Sequence, residues 1–254
     1  MQLNGKTILI TGASTGIGRA LVYNSAMKKC NLILLSRRKK LLDEIIRDLK
    51  GNNQNITAIK CDVSKKRDVT KAFEKIKKKF KRIDIAILNA GIGRNVPITK
   101  YNSNHAEDIF GVNVIGMVYC VEQLLPHFLK RKAGMIVGVS SLADNRGYSG
   151  SGFYSASKAA TTIFLEGLSV ELRPYNIKVV TVKPGFVKTP MTDKNKYKMP
   201  FIISAEKAAE IILNGIKKEK RYIQFPLSTL LITKIIGLIP NFIYEIAASK
   251  IKLK

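Results

Sequence analysis

Short apolar runs and amphipathic stretches alternate along the chain. Lys6–Thr11 (KTILIT), Asn31–Ser36 (NLILLS), Ile56–Cys61, Asp84–Leu88 (DIAIL), Gly134–Ser140 (GMIVGVS), Ile177–Lys183 (IKVVTVK) and Arg221–Phe225 read as strands. Between them Gly16–Lys29, Lys39–Lys50, Asp68–Phe80, Met117–Leu129, Tyr154–Arg173 and Ala205–Lys218 read as helices. In Lys39–Lys50, Leu41, Leu42, Ile45, Ile46 and Leu49 fall on one side. Strands that are apolar throughout are buried on both faces. Strand–helix alternation of this kind predicts an α/β fold, a doubly wound parallel seven-stranded sheet with helices on both faces. No repeat, linker or second domain interrupts it. The expected division is one domain over 1–226, holding any site, and an apolar helical C-terminal extension over 227–254.

That extension breaks the usual pattern. Leu230, Leu231, Ile232, Ile235, Ile236, Leu238, Ile239, Phe242, Ile243 and Ile246 leave only a narrow polar stripe, Thr229, Thr233, Gly237, Asn241 and Glu245, at steps of four. Lys234, Pro240 and Glu245 interrupt it, so a membrane span, which needs about 20 apolar residues, is rejected. Gly237 and Pro240 predict the end of one helix and the start of another. Two roles stay open: packing over a cleft or a partner subunit, and dipping into a membrane interface.

The first strand runs into Thr11-Gly12-Ala13-Ser14-Thr15-Gly16-Ile17-Gly18. Glycines at a strand–helix junction let the backbone turn tightly, approach a pyrophosphate and pack the helix on the sheet. The helix start then offers free N–H groups to the phosphates. No Gly-Lys-Ser/Thr follows, which excludes a nucleotide-triphosphate loop. The second strand ends Ser36-Arg37-Arg38, with no acid for a ribose 2′-hydroxyl. Ser36 and Arg37 are suited to a 2′-phosphate, Arg38 adjoins them, and Arg19 adds charge nearby. NADP(H) is therefore expected over NAD(H).

Tyr154-Ser155-Ala156-Ser157-Lys158 sets Tyr154 and Lys158 four apart on one helix face. An ammonium beside a phenol favours the phenolate, so the tyrosine is expected to titrate below its usual range and act in proton transfer. Ser141 closes the fifth strand, where open α/β sheets bind ligands.

The chain has 254 residues, with Lys+Arg 44 against Asp+Glu 18, a formal net charge of +26. An anionic partner, nucleic acid or membrane, would use that charge. The excess is mostly lysine, spread along the chain, and Trp is absent, as a compositional bias would also leave it. Cys30, Cys61 and Cys120 are scattered and the histidines are His105 and His127, so neither a disulfide scaffold nor a zinc site is expected. Met1–Lys6 shows no signal or transit peptide. A cytoplasmic protein is expected, with peripheral membrane contact through 227–254 as the variant.

Taken together, these motifs resemble the single-domain branch of the short-chain dehydrogenase/reductase family, over about residues 5–225. The likeness rests on TGASTGIG at 11–18, Asp62-Val63, Asn89-Ala90-Gly91, Asn113, Ser140-Ser141, YSASK at 154–158, Pro184-Gly185 and Thr189. Gly138 departs from it, standing where a polar residue often precedes the serines. The resemblance implies a Rossmann-type sheet and an oxidoreductase that interconverts a carbonyl and an alcohol. It implies Tyr154 as acid/base, Lys158 as its partner and ribose holder, Ser141 on the substrate oxygen, and Asn113 holding a relay water. It implies a cofactor lined by Gly12, Ser14, Thr15, Gly16, Ile17, Gly18, Ser36, Arg37, Arg38, Asp62, Val63, Asn89, Ala90, Gly91, Pro184, Gly185, Val187 and Thr189.

In such relatives 184–204 forms a substrate loop. Phe186, Met191, Met199 and Phe201, with Leu142, Tyr148 and Ile92, would favour a bulky or apolar substrate. Helices Met117–Leu129 and Tyr154–Arg173 suit a homodimer or homotetramer. The alternative function is a non-catalytic redox sensor or scaffold docking nucleic acid or membrane through its basic surface. Retention of Ser141, Tyr154, Lys158 and Asn113 argues for turnover, and no specific nucleic acid is expected.

Overall fold

The computed structural model describes residues 1–51, 55–195 and 197–249. Residues 250–254 of the expected extension and Lys196 of the expected loop lie outside them. Seven strands form one sheet: β1 Thr7–Thr11, β2 Asn31–Ser36, β3 Ile56–Lys60, β4 Ile85–Leu88, β5 Gly134–Val139, β6 Ile177–Pro184 and β7 Tyr222–Phe225. All neighbours are parallel, in the order β3-β2-β1-β4-β5-β6-β7. The apolar runs fill the middle: every residue of β1 and β4 is buried.

The helices are α1 Gly16–Ala26, α2 Lys39–Asp48, α3 Lys66–Lys79, α4 Asn104–Phe110, α5 Gly116–Arg131, α6 Gly152–Glu171, α7 Ala205–Lys217, α8 Leu227–Leu238 and α9 Asn241–Ser249. Two cores result, one per sheet face. Leu21, Leu42, Ile45, Ile212 and Ile216 pack α1, α2 and α7 on one side. Phe73, Leu124, Phe128 and Leu165 pack α3, α5 and α6 on the other. Each fully buried side chain of this size contributes about 1.5–3 kcal/mol.

Sequence periodicity misses α4, and with it a π-helical segment, Gly111–Ile115, that joins α4 to α5. The continuous helical run Asn104–Arg131 is long and apolar enough to cross a membrane by length and composition. Its Cys120, Leu124 and Phe128 are instead buried against the sheet. The three cysteines are buried and free. Burial pushes the Cys30 thiol up to about 11 and Cys61 to about 12.

After β3 the chain crosses to the far side of β1 to lay down β4. This reversal opens a crevice at the carboxyl ends of β1 and β4, the place where open α/β sheets take ligands. A separate hollow of about 650 Å³, lined by Thr7, Asn31, Lys79, Arg82 and Arg131 among others, lies at the amino ends. There Asp84 is buried, accepting from Thr7 N at 2.9 Å and pairing with Arg82 and Arg131 at 3.3 Å each.

Candidate active site

The glycine loop is built by close approach. Gly12 and Gly16 have φ of +66° and +54°, where side chains are strained. A Cβ on Gly18 would lie 2.2 Å from Gly12 O, so α1 can start here only with glycine. The loop after β4 is stapled to this turn: Asn89 Nδ2 donates to Thr11 O (3.1 Å) and Ala90 N to Thr11 Oγ1 (3.0 Å). Thr189 closes the other side, its methyl 3.0 Å from where a Gly16 Cβ would stand. The Thr15 side chain caps no backbone N–H of α1. A narrow, backbone-lined cradle with an open helix start fits a dinucleotide pyrophosphate.

At the end of β2, Ser36 Oγ donates to Ser14 Oγ (2.8 Å). Arg38 Nε and Nη2 donate to Ser14 Oγ (3.2 Å) and Thr15 Oγ1 (2.7 Å). Arg38, not Arg37, lies over the glycine loop. Arg37 is exposed, with Nη1 3.9 Å from Asp62 Oδ2. Asp62 also accepts from Ser64 N and Oγ, and Val63 is buried. Arg19, expected to add charge near the phosphates, instead donates to Tyr23 and lies over its ring.

Tyr154, Ser141 and Lys158 come together at the end of β5. Ser141 Oγ accepts from Ala143 N (3.1 Å) and lies near enough to the Tyr154 phenol to act on its titration. Lys158 is buried, and Nζ donates to Val139 O (2.9 Å) while lying 5.7 Å from the Tyr154 ring centroid. Proximity to Lys158 predicts a lowered tyrosine pKa; the structure shows the reverse. Burial raises the Tyr154 phenol, Ser141 opposes this, and Tyr197 and Asp144 raise it further. The ammonium sits above the ring and is turned to a carbonyl. Burial lowers Lys158 itself to about 8, against the pull of Asp144.

The π-helical segment turns Asn113 inward. Asn113 Oδ1 accepts from Ile92 N (2.8 Å), while Nδ2 donates to Ile92 O (3.0 Å) and Ser157 Oγ (2.9 Å). Its side chain thus joins the β4 loop to α6, and none of these bonds runs to Lys158. A Cβ on Gly91 would stand 3.3 Å from Asn113 Oδ1 and 3.4 Å from Lys158 Nζ, so glycine keeps this corner open. Gly138, the departure noted in the sequence, has a packing cause: Leu165 occupies the space its Cβ would need.

Behind the site is a network that the motifs did not reveal. Asp144 pairs with Lys183 (2.8 Å) and accepts from Thr162 Oγ1 (2.5 Å). Thr162 meets Ser140 Oγ (2.7 Å), which donates to Lys158 O (2.9 Å). Asp144 follows Ser141 by three residues in a 3-10 turn, Leu142–Asp144, which was the one signal for it.

The loop after β6 is pinned at its base by Val187 and Ile203, which pair in parallel. Val187 is buried in the core. Pro184 O accepts weakly from Ser141 Oγ at 3.5 Å. Gly185 packs against Thr229 and Pro226. Met191 lies over the Gly93–Tyr154 contact, and Phe186 meets Tyr197 edge-on at 6.3 Å. Phe201 is exposed, contrary to an inward role. Leu142 is buried, Ile92 half-buried, and Tyr148 OH donates to Asn145.

Residues 6–200 match the family model described as short chain dehydrogenase. The chain belongs to that family and is an NAD(P)-dependent oxidoreductase. It is 30% identical over 251 residues to an uncharacterized oxidoreductase of Myxococcus xanthus, covering 99% of each chain. It is 32% identical to an NADP-dependent 3-hydroxy acid dehydrogenase of Schizosaccharomyces pombe, covering 87% of this chain and 91% of that one. The fold superposes on a short chain dehydrogenase/reductase of Burkholderia phymatum in complex with NAD, with a TM-score of 0.85 at 23% identity, covering 92% and 93%.

Proposed function

We propose that the chain interconverts a carbonyl and an alcohol, with NADP(H) favoured over NAD(H). The observation that carries the reaction is the joining of Ser141, Tyr154 and Lys158 at the carboxyl end of β5. Bound there, the nicotinamide cofactor supplies or accepts a hydride. Tyr154 gives its hydroxyl proton to the substrate oxygen, and a phenol kept neutral by burial is suited to donating. Ser141 hydrogen-bonds the same oxygen. Lys158, titrating near neutrality, restores the proton and holds the ribose. Asn113 fixes the β4 loop against α6 and so the distance between Lys158 and Gly91. The glycine loop holds the pyrophosphate, and Ser36, Arg37 and Arg38 take the 2′-phosphate. Phe186, Met191 and Leu142 favour a bulky or apolar substrate.

Residues 1–226 carry this chemistry and 227–254 extend it. Exposed Ile163 and Val170 on α6 suit a homodimer or homotetramer, and buried thiols suit a reducing, cytoplasmic setting.

The test is binding of NADPH and NADH at fixed salt, for wild type, Arg37→Ala and Arg38→Ala. NADPH is expected to bind more tightly, and the arginine variants to lose that margin. Equal binding of both cofactors by wild type overturns the preference. Tyr154→Phe is expected to lower turnover by about 10²–10⁴-fold with cofactor affinity kept.

A further inference from the structure

Most of the large apolar side chains of the C-terminal helices face outward. Thr229 of α8 is buried against Gly185, and Thr233 is half-buried, its carbonyl accepting from Asn145 Nδ2 (2.5 Å). Leu227, Leu231, Ile235 and Leu238 on the opposite side are exposed, Leu238 at 84%. On α9, Phe242, Ile243 and Ile246 are exposed too. The hairpin is nevertheless held in place. Arg146 donates to Ile236 O (3.2 Å), Gly237 O (3.2 Å), Ile239 O and Asn241 Oδ1 (2.6 Å), and lies 5.0 Å over the Tyr244 ring. Tyr244 OH donates to Gly147 O (2.8 Å). A fixed, outward apolar face of this extent marks a docking surface.

We infer that α8 and α9 dock this face on the surface of an anionic lipid bilayer. Charge decides the occupant. On α8 and α9 themselves Lys234 and Glu245 cancel, so the attraction comes from the +26 of the chain as a whole. Three further lysines, Lys250, Lys252 and Lys254, follow in the sequence. Anionic headgroups complement this charge, whereas a second copy would set like charge against like. Geometry decides the depth. The helices have 12 and 9 residues and their axes turn by 118° between them. At about 1.5 Å per residue neither crosses a hydrocarbon layer of about 30 Å, so both lie in the interface. Because Thr229 of α8 touches Gly185 at the root of the substrate loop, docking brings the crevice to the lipid surface. The inference stands apart from the catalytic reading, since neither the crevice nor its cofactor is needed for docking.

The test is flotation of the full chain with vesicles of phosphatidylcholine alone and with an equal part of phosphatidylglycerol, at low and high salt. Flotation is expected with the anionic vesicles, weakened by salt. A triple variant, Leu231→Asp, Ile235→Asp and Phe242→Asp, is expected to bind about tenfold or more weakly. Its unfolding midpoint in urea checks that the fold is kept. The chain has no Trp, so Leu238→Trp adds a single reporter whose emission is expected to shift blue on anionic vesicles. Failure to float, equal flotation of the triple variant, or an unshifted reporter overturns the inference. A wild-type dimer that the triple variant splits, without vesicle binding, assigns the face to a second copy instead.

Discussion

Helices α7 and α8 flank the same edge strand, β7, and bury opposite kinds of surface. In α7, Ala208, Ala209, Ile212, Leu213 and Ile216 are buried, while Glu206, Lys207 and Glu210 face water. In α8 a threonine is the buried residue, Leu230 and Ile236 are half-buried beside it, and Leu227, Leu231 and Leu238 face out. Transfer of apolar side chains out of water holds α7 in place. Hydrogen bonds from Arg146 and Asn145 to backbone carbonyls hold α8. Amphipathicity therefore tells which face of a helix is apolar, and packing alone tells whether that face is the inner one.

The sharpest way to break this contrast is Ile212→Ala. It leaves a cavity between α7 and the sheet and is expected to cost about 2–5 kcal/mol, read as a lower urea midpoint. An unchanged midpoint would mean that α7 is not anchored by its apolar face.

Helix α6 is the intermediate case, since it buries the polar Lys158, Ser157 and Thr161 along with its apolar residues. The Lys158 pKa falls to about 8 from 10.5, so the folded chain holds this proton less tightly than the unfolded chain. The resulting destabilisation is full below about 8 and is relieved as the pH rises towards the unfolded value. Lys158→Met is thus expected to gain on the order of 2 kcal/mol at neutral pH, with the gain shrinking in alkali, while turnover is lost. Urea unfolding of both proteins across that range measures it, and a gain independent of pH would refute the titration as its cause.

The smallest effect is expected for Leu231→Asp on α8. With that side chain 53% exposed, stability should change by no more than about 0.5 kcal/mol in urea unfolding. A loss as large as that of Ile212→Ala would show that α8 is part of the core after all.

Most of the scaffold was legible because its signals are local. Apolar runs marked all seven strands, and the glycines of 12–18 marked the turn into α1. Helix boundaries shifted by a few residues, as with α3, predicted at Asp68–Phe80 and found at Lys66–Lys79. The residues of the candidate site could be picked out from the sequence, but not their arrangement. Tyr154 and Lys158 are four apart on a helix, yet burial, which spacing does not encode, raises the phenol and lowers the amine. Arg37 and Arg38 are neighbours in sequence, and only the fold directs Arg38 to Ser14 and Thr15. Asp144, Thr162 and Lys183 carry no motif and meet through three separate elements.

By itself the sequence determined the strand and helix order, the glycine turn, the Tyr154–Lys158 spacing and the apolar character of 227–254, because each depends on residues within a few positions of one another. Tertiary structure decided which protonation states burial favours, which arginine reaches the glycine loop, and that α8 turns its threonines inward and Leu227, Leu231 and Leu238 out. Those depend on desolvation and on partners distant in the chain. Arg146 reaches the end of α8 only once the sheet has brought the ends of β5, β6 and β7 side by side.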